Sequence, residues 1–185
     1  MKLETLVAWW ITGTKRLELT LNTLGKELSW RMVRRAKAKL GKHQPAVGEF
    51  PAWAKLSPTT IDEKIRLGLP APSPLKRSQG WREGGPLRES IEAQYEVSAT
   101  TLVVDLTSFD DRMKWHELGY RNARTGRDVP PRPVLGPAMY EVVEKSRELI
   151  AEAFVGALTP GYLPKLSSDF GAESVFSPVK RRGRR

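Results

Sequence analysis

Leu17, Leu21, Leu24 and Leu28 recur at spacings of four, three and four residues. That interval keeps successive side chains on one line of an α-helix, and no proline interrupts the chain before Pro45. The pattern predicts a long helix over residues 14–41, ended by Gly41. The apolar line drifts through Met32, Ala36 and Leu40, while Arg31 and Arg35 continue the line that the leucines held. The first half of such a helix needs a core to pack on. Its second half is expected to project cations from the same face.

Those cations form part of a wider bias. Residues 26–42 hold Lys26, Arg31, Arg34, Arg35, Lys37, Lys39 and Lys42 against Glu27 alone, and the chain ends Lys180-Arg181-Arg182-Gly183-Arg184-Arg185, within a formal net charge of +10. Blocks of like charge are either solvated faces or contacts for a polyanion. In the second case Arg31, Arg35, Lys180, Arg181, Arg182, Arg184 and Arg185 are the candidates to face nucleic acid, through nonspecific phosphate contact. Trp30 lies among the helix cations, but no DNA- or RNA-binding module signature accompanies it.

After the helix the pattern changes. Seven prolines between Pro45 and Pro86 make residues 43–90 an irregular arm, with one short helix at Thr59–Leu67 behind the cap and first-turn proline of Ser57-Pro58. Ile91, Ala93, Tyr95 and Val97 then alternate with polar residues, and Leu102, Val104 and Leu106 do so again. Two such runs around Ser98-Ala99 predict an antiparallel hairpin with one wet face. Asp110–Leu118 reads as a short helix or an irregular segment, closed by Gly119, and Val134-Leu135 as a further strand. Gly136-Pro137 opens a last helix ending near Leu158, which as one rod would be about 30 Å long. Residues 159–185 read as an extended basic tail with too few apolar residues to fold alone. The expectation is an α+β fold: a small, mostly antiparallel sheet packed by a long N-terminal and a C-terminal helix, in one domain over residues 1–158.

A search for chemistry returns little. The chain has no cysteine, which removes disulfides, thiolate metal sites and thiol nucleophiles. His116 and Glu117 are neighbours, but adjacent helical residues do not face each other, and Tyr120 stands where a HExxH metal motif needs histidine. His43 has no evident partner. Asp110-Asp111 suits a helix cap better than a carboxylate pair. Gly80, Gly84 and Gly85 lack the Lys-Ser/Thr of a phosphate loop. The expectation is a protein without catalytic activity, metal or other cofactor. Leu6–Ile11 is too short an apolar run to cross a membrane, and Glu4 before it argues against a signal peptide.

Three stretches carry a resemblance: Trp53-Ala54-Lys55-Leu56-Ser57-Pro58-Thr59-Thr60-Ile61-Asp62-Glu63-Lys64, Pro86-Leu87-Arg88-Glu89-Ser90-Ile91, and His116-Glu117-Leu118-Gly119 followed by Val129-Pro130-Pro131-Arg132-Pro133-Val134-Leu135-Gly136-Pro137-Ala138. In order and spacing, over roughly residues 50–158, they resemble tailed-phage virion morphogenesis proteins, the neck or tail-completion family. The proline-rich run is the most specific part. Gly84-Gly85-Pro86 stands where the family usually has a Thr-Gly doublet, and Val134 where it often has an aromatic. The basic tail lies outside the pattern.

The resemblance implies a structural virion protein. It would form a ring, commonly a hexamer, at the phage neck, completing the tail and joining it to the head connector. Its partners would be sister copies, the adjacent head-connector and tail-tube or terminator proteins, and genomic DNA by nonspecific contact, with no membrane. It would be assembled in the host cytoplasm and reside in the virion. Trp53, Leu56, Pro130, Pro131 and Pro133 are then the interface candidates, the prolines fixing how the chain enters the last helix. The competing expectation is a nonspecific nucleic-acid-binding protein that uses the basic helix and tail.

Overall fold

The leucine line does build a helix, α1, but α1 runs Leu3–Lys39 and so begins well before residue 14. Residues 3–13 contain no proline, and once a helix is nucleated each further residue adds a hydrogen bond at low cost. Gly13 is tolerated inside it. With 37 residues, α1 is about 55 Å long. It ends where expected, with Gly41 at φ 85°. The computed structural model describes residues 3–68, 87–98, 100–123 and 126–159. The arm segment 69–86, with Gly80, Gly84 and Gly85, and the tail from 160 onward lie outside the described residues.

Around α1 stand α2 (Pro58–Arg66), β1 (Ile91–Ser98), β2 (Thr101–Ser108), α3 (Arg112–Leu118), β3 (Tyr120–Arg121), β4 (Asp128–Val129), α4 (Leu135–Lys145) and α5 (Arg147–Leu158). The fold is α+β; among the described residues the strands form two separate two-stranded antiparallel ribbons, β1-β2 and β3-β4. β1, β2, α4 and α5 all pack on α1. Leu24, Leu28, Met32 and Ala36 of α1 join Trp53, Ile91, Leu106, Met113, Val134, Ala138, Val142 and Ala153 in the main core, while Leu17 and Leu21 meet Val97, Leu102 and Phe154 in a second cluster.

The β1-β2 register pairs Ala93 with Leu106, Tyr95 with Val104 and Val97 with Leu102. This is the alternation read from the sequence, and it puts those apolar residues on one face. The ribbon sits close on α1 because of Gly25. A Cβ there would stand 2.6 Å from Tyr95 Cδ2 and 2.8 Å from Leu102 Cδ1, so the ring and the methyl occupy the space a larger residue would fill. At its open end the ribbon is tied by Ser90, buried, whose hydroxyl donates to the Leu87 carbonyl at 2.7 Å and lies 2.6 Å from the Ser108 hydroxyl.

Two expectations fail here. Val134-Leu135 is not a strand: Val134 precedes α4 and Leu135 opens it. The last helix is not one rod either. Ser146, fully buried at φ −105° and ψ 6°, separates α4 from α5. Its amide donates to the carbonyls of Val142 (3.0 Å) and Val143 (3.1 Å), and its hydroxyl accepts from Arg31 Nη1 at 3.4 Å. Serine offers such local bonds in competition with the helix ladder, and the bend lets both halves pack along α1.

The described part of the arm is more tightly built than an irregular loop. Gln44 Nε2 donates to the Lys39 carbonyl (3.0 Å) and the Lys42 carbonyl (3.1 Å), which finishes the end of α1. Val47 and Phe50 bridge through two 2.9 Å bonds. The Phe50 ring lies against Gly136, and the Tyr140 ring against Gly48. α2 starts as the sequence foretells, capped by Ser57 Oγ, which accepts from the Thr60 amide at 3.3 Å.

Candidate interaction surfaces

His116 and Glu117 lie on α3, whose start is held by Asp110 rather than Asp111. Asp110 Oδ1 accepts from the Arg112 amide (3.0 Å) and Nε (2.7 Å), and its other oxygen pairs with Arg112 Nη2. The Arg112 hydrogen bond holds the Asp110 carboxyl below its ordinary range, outweighing the upward push of burial, with His116 adding a small favourable charge. His116 is half-buried, and its carbonyl accepts from the Arg132 amide at 2.7 Å. Among the described residues no group of three His, Cys, Asp or Glu could hold a metal ion.

Glu117 has a different task, one the sequence concealed. Its Oε1 accepts from the amides of Val134 (2.6 Å) and Leu135 (2.8 Å). A carboxylate from α3 therefore satisfies two of the unpaired donors at the start of α4 and complements the positive end of its dipole. Val134 itself is fully buried. Replacing Glu117 by alanine is expected to cost about 2 kcal/mol. Glu117→Gln, which keeps an acceptor oxygen, should cost less than half of that. The midpoints of urea unfolding check both.

The proline-rich run crosses this cap. Gly119, at φ 72°, lets the chain turn from α3 into β3, and a Cβ there would meet the Val129 carbonyl oxygen at 2.7 Å and the Pro131 nitrogen at 3.0 Å. Arg132 is buried among these turns. Its Nη2 donates to the Ala54 carbonyl at 3.3 Å, its Nε has no hydrogen-bond partner among the described residues, and burial pulls its guanidinium below its ordinary value against a small opposing effect of Tyr120.

The five interface candidates divide. Trp53 is buried in the core, and its Nε1 donates to the Pro133 carbonyl at 2.9 Å. Pro133 is buried too and Leu56 is half-buried, whereas Pro130 and Pro131 are exposed. Trp53 and Pro133 thus belong to the chain's own packing. On and around α3 are exposed apolar residues that the sequence reading did not single out: Phe109, Trp115 and Leu118, with 66%, 51% and 72% of their surface exposed, and Tyr120. The Trp115 and Tyr120 rings lie 5.9 Å apart at 42°. Trp115 and Leu118 share a face of α3 at a three-residue interval, and that interval was the available signal.

The basic residues divide as well. Arg31 pairs with Glu27 one turn back, and Arg35 reaches across to Glu141 of α4, which also binds Lys39. Arg31 is half-buried, whereas Arg35 stays exposed while bonding Glu141. Further round α1 lie Lys26, Arg34 and the half-buried Lys37, at intervals of eight and three. Trp30 stands between the first two, and the Arg34 guanidinium lies 5.0 Å from its ring centroid, a cation–π distance. Lys180, Arg181, Arg182, Arg184 and Arg185 lie outside the described residues. Among the described residues no helix is long and apolar enough to cross a membrane. Comparison of the chain with protein-family models, with curated proteins and with solved structures finds no match.

Proposed function

We propose that the chain is a structural virion subunit that forms a ring at the neck of a tailed phage, completes the tail and joins it to the head connector. Its work is self-association and docking. The reading is supported by the resemblance of the stretches at 53–64, 86–91 and 116–138, and the observation that carries it is the exposure of Phe109, Trp115, Leu118 and Tyr120, the Trp115 and Tyr120 rings in contact, together with that of Pro130 and Pro131. Large exposed aromatic and aliphatic side chains are the usual anchors of protein interfaces. Here they stand on a short segment pinned by Asp110–Arg112, by Glu117 and by the turn at Gly119, so little freedom remains to be lost on docking. This group is assigned to the contact with an adjoining virion layer, the connector or the tail-tube and terminator side.

The test is Trp115→Arg combined with Leu118→Asp. Both side chains are more than half exposed, so the fold should keep its unfolding midpoint within about 0.5 kcal/mol. In a phage supplied only with this variant, heads and tails should accumulate unjoined and infectious yield should fall by about 100-fold or more, a loss of hot-spot size. A normal yield would overturn the assignment. A specific observation favours a second reading, nonspecific nucleic-acid binding: the exposed Trp30 among the cations of α1, since aromatic rings and cations together hold nucleic-acid strands. A chain that stays monomeric, is absent from particles and binds DNA with steep salt dependence would decide for it.

A further inference from the structure

Resting on the ring reading, we infer that the ring closes laterally by seating the outer face of the β1-β2 ribbon of one copy on the basic outer face of α1 in the next. The ribbon has two faces and uses one on its own α1, through Tyr95 and Leu102 over Gly25. The opposite face carries Glu92, Gln94 and Glu96 on β1 and Thr101, Val103, Asp105 and Thr107 on β2. Every charge on it is acidic. Val103, 48% exposed and paired with Glu96 in the register, is its apolar centre.

The outer face of α1 has the inverse make-up. Lys26, Arg34 and Lys37 are its cations, and Trp30, 44% exposed, is its apolar centre. At 100° per residue these side chains lie about half a turn from the buried line of Leu21, Leu28 and Met32, so the helix meets its own core on one side and presents this face on the other. The two faces also match in length. Glu92 to Glu96 spans about 13 Å of strand, and Lys26 to Arg34 spans about 12 Å of helix.

Charge decides the symmetry. Two ribbons face to face would oppose acid to acid, and two α1 faces would oppose cation to cation, so each face repels its own kind and attracts the other. An interface between unlike faces is heterologous, and repeated by a closing rotation it makes a ring rather than a two-fold dimer. A copy cannot satisfy itself this way, because α1 already separates its ribbon from its own basic face.

The experiment uses two charge-reversed full-length chains. One carries Glu96→Lys with Asp105→Lys, the other Lys26→Glu with Arg34→Glu; all four positions are exposed. Each chain alone should associate at least ~100-fold more weakly than the wild type, read by analytical ultracentrifugation and negative-stain microscopy. Mixed in equal amounts the two should recover rings, because every interface again joins unlike charges, and the same recovery should appear in one chain carrying all four changes. Rings formed by either variant alone at wild-type concentration would overturn the inference and leave the ring reading standing. So would mixing without recovery while each chain keeps its unfolding midpoint. If the Lys26→Glu/Arg34→Glu chain loses DNA retention but forms rings normally, the basic face serves nucleic acid and the inference is wrong. A wild type that stays monomeric at every concentration defeats both.

Discussion

Replacing Glu141 by leucine should remove about 3–5 kcal/mol of folding stability, and the cause lies in Lys39. That ammonium is among the most deeply buried groups of the chain, with 2% of its surface exposed, and its Nζ stands 2.6 Å from Glu141 Oε1. Arg35 binds the other carboxylate oxygen from the rim. Without the carboxylate, a cation is left in the interface between α1 and α4 with no counter-charge, which costs far more than the pair itself contributes. Removing both ends, with Lys39→Met and Glu141→Leu together, should therefore recover most of the loss. Additive losses in the double variant would show that the pair is not the reason for the effect.

The same carboxylate gives the fold a dependence on pH with a definite sign. Burial pushes the Glu141 carboxyl up, but the hydrogen bonds and charges of Arg35 and Lys39 together outweigh it and hold it below its ordinary value. A carboxyl whose folded value is depressed contributes stability that is complete above its unfolded value and is lost as pH falls through the folded one. Wild-type stability should fall as pH drops below about 4.5, and Glu141→Gln should flatten part of that slope. Asp110, held down by Arg112, supplies a second contribution of the same sign and keeps the slope from vanishing. A variant with the wild-type slope would remove Glu141 from the account.

Local signals carried much of this architecture. The four-three-four leucine spacing placed α1, strict alternation placed β1 and β2 with the right residues inward, and Ser57-Pro58 placed the start of α2. What stayed hidden depends on partners far apart in the chain. Glu117 caps a helix that begins 18 residues later, Lys39 and Glu141 meet across 102 positions, and Arg31 reaches Ser146 across 115. No local period encodes such pairs. The division of the last helix escaped for a related reason. Ser146 looks ordinary in an apolar-faced run, and only its burial against α1, with the Arg31 bond, makes it a bend. The candidate surface was half legible. Pro130 and Pro131 were noticed as stiff elements, but exposure of Trp115 and Leu118 follows from Met113 taking the core side of α3, which a seven-residue helix does not announce.

Trp53 separates the two ways of reading an aromatic in an arm. If it anchored a neighbour, Trp53→Ala would weaken association and leave the monomer's stability almost unchanged. Its place in the core, with Nε1 donating to the Pro133 carbonyl, requires the opposite. The alanine variant opens a cavity in the main core cluster to which Trp53 belongs, and large-to-small changes of this kind cost about 3–5 kcal/mol. Against the ~5–15 kcal/mol that a domain of this size has in total, this is a large fraction of the stability. Trp53→Phe refills most of the volume but strands the Pro133 carbonyl without its donor, at about 1–2 kcal/mol. Chemical denaturation of the wild type and both variants, at concentrations too low for association, should rank alanine well below phenylalanine and phenylalanine below wild type. Equal midpoints for all three would return Trp53 to the surface and leave the Phe50–Gly136 and Arg132–Ala54 contacts to hold the arm at the entry of α4.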